Sequence, residues 1–157
     1  LYRRVTDDAH GLPRGSVVAG DRLIFGYPRI GRILALGSGL SEQFPGAFRA
    51  VEKVDGYNVR IFRVGERVLA LTRGGFICPF TTDRLEDLLN LEVFEREPDL
   101  VVCAEVAGPD NPYMESTVPG VDSDVGLFVF DLMRRIHPMW PMRTKPGVAS
   151  KITDCPR

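Results

Sequence analysis

Two turn-forming pairs, Asp55-Gly56 and Gly65-Glu66, lie one strand-length apart and constrain this fold more than any other feature of the chain. Between them Tyr57, Val59 and Ile61 alternate with Asn58, Arg60 and Phe62, a period of two that a helix cannot present. The Asp-Gly pair predicts a β-hairpin whose arms are Phe48 to Val54 and Tyr57 to Arg63. Gly65-Glu66 then turns the chain into Val68 to Thr72, and Arg73-Gly74-Gly75 closes the run. The expectation is three antiparallel strands in succession.

The flanking sequence adds more sheet and a little helix. Val17, Val18 and Leu23 to Phe25 read as short strands, followed by the extended pieces Ile30, Ile33, Leu34 and Leu36. Gly39 to Phe44 predicts a brief helical turn ending at Pro45. Thr81 or Thr82 is placed to cap a helix from Asp83 to about Phe94, with Leu85, Leu88, Leu89 and Val93 on one stripe. Leu100 to Val106 reads as a buried strand with one anomaly, Glu105, a carboxylate in an apolar run that needs a partner or a function. Gly108 to Gly120 is expected to be irregular, and Val125 to Leu132 to be a further strand with Phe128 and Phe130 on one face. The fold class is therefore α+β, a mostly antiparallel sheet with few helices. The expected organisation is an N-terminal extended segment over residues 1–45, a core over 46–132 and a basic, proline-rich tail over 133–157.

With 157 residues, 44% hydrophobic and 26% charged, the composition is that of one ordinary soluble domain and excludes dominant disorder. No apolar run approaches the ~18 residues that span a bilayer, and no signal-peptide pattern opens the chain, so a cytoplasmic location is expected. Leu1 in place of an initiator Met suggests trimming or a fragment. Cys78, Cys103 and Cys155 are odd in number and widely spaced, which predicts buried free thiols in place of a disulfide or zinc framework. His10 and His137 have no ligand spacing. The net charge of -1 hides segregation: 12 basic against 7 acidic residues in 1–75, 2 against 13 in 76–131, and 6 against 1 in 132–157. Basic flanks around an acidic middle suit a protein that grips phosphates and holds carboxylates near sugar hydroxyls or metal. The chain uses 17 Arg and only three Lys, at 53, 145 and 151, so a retained Lys points to a task Arg cannot perform, such as losing a proton to become a nucleophile.

The segment Lys53-Val54-Asp55-Gly56-Tyr57-Asn58-Val59-Arg60 resembles motif I, KxDGxNxR, of the covalent nucleotidyltransferases, the superfamily of ATP-dependent ligases and mRNA-capping enzymes. Thr72-Arg73-Gly74-Gly75 resembles motif Ia, Ala104 to Gly108 motif III, and Leu127 to Asp131 motif IIIa, in the superfamily's order. Tyr27 to Ile33, Arg73 to Arg84 and Glu105 to Tyr113 are similar to the archaeal-type homodimeric ATP-dependent RNA ligases in particular. The resemblance runs from about Gly11 to Asp131.

It implies a nucleotidyltransferase core in which Lys53 attacks the α-phosphate of ATP and forms a lysyl-AMP, with Mg²⁺ or Mn²⁺ and with RNA bearing 5′-phosphate and 3′-hydroxyl ends as partners. Nearby positive charge and the metal are expected to depress the Lys53 pKa. Nucleotide contacts are implied for Glu52, Asn58, Arg60, Arg73, Glu105, Phe128 and Lys151, with Glu105 also a metal ligand and Phe128 stacked on adenine. Asp55 reads as a turn residue, and Arg29 and Arg32 as lining a path for phosphates. No EGxVxK stretch follows Asp131; Met139 to Lys145 stands where motif IV is expected and Val148 to Thr153 where motif V is expected, which makes Lys151 the motif V lysine. The motif IV glutamate has no counterpart, and the family's homodimer interface is expected to be missing. A non-catalytic nucleotide- or RNA-binding relative is the alternative, ahead of a DNA ligase or capping guanylyltransferase.

Overall fold

The computed structural model describes residues 2–9, 11–20 and 22–134. Lys151, the stretches proposed for motifs IV and V, Cys155 and both histidines lie outside the described residues. Three short strands, β1 (Tyr2–Arg4), β2 (Val17–Ala19) and β3 (Arg22–Ile24), form one antiparallel sheet in chain order. The solitary helix α1 (Leu36–Gln43) follows, close to the helical turn expected before Pro45. A second sheet has the order β5-β4-β6-β7, from β4 (Tyr57–Val64), β5 (Arg67–Thr72), β6 (Leu100–Ala107) and β7 (Gly126–Arg134), antiparallel throughout. Between β5 and β6 lie three one-turn helices, α2 (Pro79–Thr82), α3 (Leu85–Leu88) and α4 (Val93–Arg96). The architecture is thus the expected α+β fold with few helices.

The alternation in β4 decides the layering. Val59 and Ile61 point to one side, where Ala70, Val102, Ala104 and Val106 of the neighbouring strands meet Leu85 and Phe94 from the short helices. Phe62 points to the other side and packs with Leu71, Val101 and Cys103 against Val17 and Ile24 of the small sheet. The central sheet is therefore sandwiched between helices and a three-stranded cover. Cys78 and Cys103 are buried free thiols, as expected, and burial pushes the Cys103 thiol up to about 12.

Two local expectations are corrected. The Gly65-Glu66 hairpin forms, with Val64 opposite Arg67, but the Asp55-Gly56 hairpin does not. Residues 48–54 are not strand, and the third partner of the run is β6, which pairs with β4 from Tyr57↔Val106 to Phe62↔Val101. Once β6 occupies that edge of β4, the chain before Gly56 has no ladder to join. Gly56 is required by close approach: a Cβ there would lie 2.2 Å from the carbonyl oxygen of Val106. The single helix over 83–94 is also replaced, by the separate turns α3 and α4, with α2 preceding them. Thr82 Oγ1 accepts from Ala70 N–H (3.1 Å) and Thr81 Oγ1 meets Tyr57 Oη (2.8 Å), so neither threonine caps a helix, and Leu89 is extended. The apolar stripe still packs on the sheet, and the one-turn pieces let it follow the sheet surface. A bulge between Cys103 and Ala104 leaves Phe130 as the extra residue of β7, where it packs into the second cluster edge-on to Tyr27 (centroids 5.3 Å).

Candidate active site

The strand register gathers residues that lie far apart in sequence. Glu105 stands directly opposite Asn58 on one side and Phe128 on the other. Across β4, the Val59↔Thr72 pair ends the hairpin ladder, so Arg73 emerges beside the Asn58 end. Arg73, Asn58, Glu105 and Phe128 thus form a row across one end of the sheet, on the side that carries Arg60 and Phe62. Lys53 and Asp55 enter the same end on the extended segment that passes Gly56. Glu52 lies exposed on that segment.

Lys53 Nζ donates to an Asp55 carboxylate oxygen, and both side chains are largely exposed. That hydrogen bond, aided by the charges of Asp55 and Glu105, raises the Lys53 pKa above its ordinary value. The expected depression is therefore not a property of the protein alone: carboxylates surround this amine, and the cationic charge of Arg73 stands on the far side of Glu105. Asp55 does not form a hairpin turn. Its carbonyl accepts from Ser116 Oγ (2.7 Å), which ties the segment to the loop after β6.

Glu105 is half-buried, and desolvation raises its pKa against the opposing effects of the Gly56 N–H bond and the Lys53 and Arg73 charges. It is the common neighbour of the lysine, Asp55 and Arg73. Beside it, Asn58 Oδ1 is buried with no hydrogen-bond partner, an orphaned acceptor pointing to a missing donor such as a hydroxyl or amine. Phe128, partly exposed, leans over Gly126, whose absent side chain leaves room for the ring.

Arg60 has a different environment. It is fully buried, its guanidinium donating to the carbonyls of Gly15 (2.7 Å), Thr72 (3.3 Å) and Phe25, while its Nε has no partner. Burial lowers its pKa from the ordinary value. These bonds pin the cover sheet's loops to the end of β5. Gly15 completes the joint: its φ is +83° and a Cβ would lie 2.1 Å from Arg73 O. Arg4 Nη1 donates to Gly74 O (3.3 Å) and Tyr2 Oη to Gly75 O, so β1 latches the turn that presents Arg73.

Sequence reasoning gave no role to Tyr27, whose hydroxyl donates to Asp131 Oδ2 (3.0 Å) across 104 positions of chain. Nor did it single out Arg14. Its position is set by the contact of Gly15 with Arg73 O, a long-range approach that no local pattern announces. Among the described residues no cluster of three or more His, Cys, Asp or Glu is arranged to hold a metal. Glu105 and Asp55 are the carboxylates beside the lysine.

The RNA ligase family model matches residues 46–151. The chain belongs to the RNA ligase family. A proposed ATP-dependent DNA ligase of Aquifex aeolicus is 56% identical with a TM-score of 0.77, over 85% of this chain and 37% of that one. An archaeal ATP-dependent RNA ligase is 39% identical in each of two forms, with TM-scores of 0.75 and 0.74 over the same shares. An uncharacterized protein of Methanocaldococcus jannaschii is 35% identical over 131 residues, 80% of this chain and 33% of its own length. This RNA ligase family chain thus spans about a third of the length of the relatives it matches. No helix among its described residues is long and apolar enough to cross a membrane.

Proposed function

We propose that this chain carries the adenylylation centre of an ATP-dependent RNA ligase, with Lys53 as nucleophile. The observation that supports the reading best is the orphaned Asn58 Oδ1 in a row with Glu105, Phe128 and Arg73, next to the one described lysine. An acceptor, a half-buried carboxylate, an exposed ring and a guanidinium match the hydroxyls, base and phosphates of a nucleotide. In the first step Lys53 Nζ, having given its proton to its hydrogen-bond acceptor Asp55, forms a bond to the α-phosphorus of ATP as the bond to the pyrophosphate oxygen breaks and pyrophosphate leaves. AMP then passes to the 5′-phosphate of an RNA, and a 3′-hydroxyl displaces it to form the phosphodiester. Phe128 orients the base, Glu105 and Asn58 the ribose, and Arg73 a phosphate.

A divalent ion fits this donor set in the manner of Mg²⁺, which takes one or two protein carboxylates and completes its shell with phosphate and water. Glu105 would hold it, and the chemistry it supplies is neutralisation of phosphate charge. The pull toward the protonated amine shown by the ligand-free site is what such a cation would offset.

Incubation with α-labelled ATP and a divalent cation, followed by denaturing electrophoresis, tests the reading. A covalent label is expected from the native sequence and none from Lys53→Ala; a label that survives that substitution overturns the assignment. Ligation of DNA is a second reading, favoured by the Aquifex relative. Sealing of nicked DNA in preference to RNA by the labelled protein would select it.

A further inference from the structure

Beside the proposed nucleotide row lies a cleft of about 750 Å³ that the nucleotide row itself does not use, apart from Arg73. Its walls are Asp8 and Ala9, the stretch from Gly11 to Arg14, the segment Tyr27–Arg29 and the pair Arg73–Gly74. The volume lies in the range of small-molecule and nucleotide pockets, several times the size of a lone phosphate.

The lining chemistry is one-sided. Arg14, Arg29 and Arg73 are exposed, and none of their guanidinium groups forms an ion pair or side-chain hydrogen bond among the described residues. The single acid, Asp8, is engaged by the backbone N–H of Arg14 (2.6 Å). Tyr27 supplies an aromatic wall and is held in place through Phe130 and Asp131 of β7. Three unpaired guanidinium groups and a fixed ring at a cleft match a chain of phosphates and bases better than a single small anion. Arg73 belongs both to this cleft and to the row beside Glu105, so the two spaces meet at one residue.

We propose that this cleft receives the phosphate-bearing end of a single-stranded RNA and directs its 5′-phosphate past Arg73 toward Lys53. The inference rests on the ligase reading for the identity of the strand and adds a site, with Arg14 and Arg29 as its contacts. The cleft is built by the cover sheet's loops, so the small N-terminal sheet acts as an RNA-holding element in addition to shielding the core.

The test uses the full chain and a short 5′-phosphorylated single-stranded RNA, followed by fluorescence anisotropy as salt is varied. Covalent labelling from ATP is measured on the same preparations. The double variant Arg14→Ala/Arg29→Ala should bind the RNA about tenfold or more weakly at moderate salt, with a salt slope shallower by about 1.4, the expectation for two lost phosphate contacts on a single strand. The double Lys variant should recover much of the affinity, and the ATP dependence of labelling should not change in either. RNA affinity and slope equal to the native protein's would overturn the inference, as would a Lys variant no better than Ala. A weaker ATP dependence with unchanged RNA binding would assign the cleft to the triphosphate tail and overturn it likewise. If the Ala variant loses its native circular dichroism, the Lys variant and the native salt slope decide. Failure of the ligase reading looks different: RNA binding that depends on these arginines with no label from ATP in the native chain.

Discussion

The two faces of the central sheet are made by the same strands and obey opposite rules. On the helix-covered face Val59, Ile61, Ala70, Ala104 and Val106 meet Leu85 and Phe94 in an apolar cluster. On the face under the small sheet, β4 contributes Asn58 and Arg60, and β6 contributes Glu105, beside the apolar Phe62, Leu71 and Cys103. The first face gains from every side chain it buries, at ~25 cal/mol per Å² of apolar surface. The second leaves Asn58 Oδ1 and Arg60 Nε without partners, each a cost on the order of 1–3 kcal/mol where the group is removed from water. A face that served packing alone would have lost such groups. Of the two, Asn58 lies near the end of the sheet by the lysine, while Arg60 lies buried under the cover sheet's loops.

That contrast can be broken most sharply at its two largest buried side chains. Arg60→Met leaves the carbonyls of Gly15 and Phe25 without their donor, while Thr72 O keeps the Gly75 N–H, and should cost about 3–5 kcal/mol in chemical denaturation. Phe94→Ala, on the other face, should cost a similar ~3–5 kcal/mol through its cavity. The two should separate in function: at temperatures where both remain folded, only the Arg60 variant should lose labelling from ATP, because only it frees the turn that holds Arg73. Equal loss in both would erase the distinction between the faces.

A smaller effect is expected at Asp55. Its carboxylate is the main reason the Lys53 pKa is raised, so Asp55→Asn should move that pKa down and speed the reaction of Lys53 with an amine-selective reagent, followed by peptide mass spectrometry. A rate unchanged by the substitution would mean that the pair does not control the amine. The smallest effect concerns Glu105. Its folded pKa is raised, so the carboxyl contributes stability that is fully present below its unfolded value of about 4.3 and is lost as pH rises through the folded value. Glu105→Gln should therefore match or slightly exceed the native chain in thermal stability at neutral pH, with the difference closing in acid. A clear loss of stability at neutral pH would place Glu105 among the structural residues.

The residues themselves show how much was legible. Period-two alternation separated the two faces of β4, β6 read as a buried apolar strand, and Glu105 stood out because a carboxylate interrupts that run. The Gly65 hairpin was readable since its two arms compete with nothing. Asp55-Gly56 misled because a turn-favouring pair and a close-approach glycine look alike in sequence; what separates them is β6, which arrives more than 40 positions later to take the edge of β4. Thr81 and Thr82 failed as caps for the same reason, both hydroxyls being claimed by tertiary partners. Arg60, named for a ligand contact from its motif, is fully buried on three carbonyls, two of them from the N-terminal third of the chain. Local pattern carried the strands, while long-range pairing decided which glycine, threonine or arginine did what.

The contact between Gly56 and the Val106 carbonyl also sets the length of a leash. Two residues, Val54 and Asp55, separate that fixed point from Lys53, so the lysine backbone travels no farther than about 10 Å from it, however exposed its side chain. Under the proposed function, an amine confined to so small a volume would meet a nucleotide on the row at an effective concentration far above that of any free lysine in solution. Replacing the glycine would lengthen the leash before it altered any group that touches the nucleotide, and encounter frequency would fall while the chemistry of each encounter stayed the same.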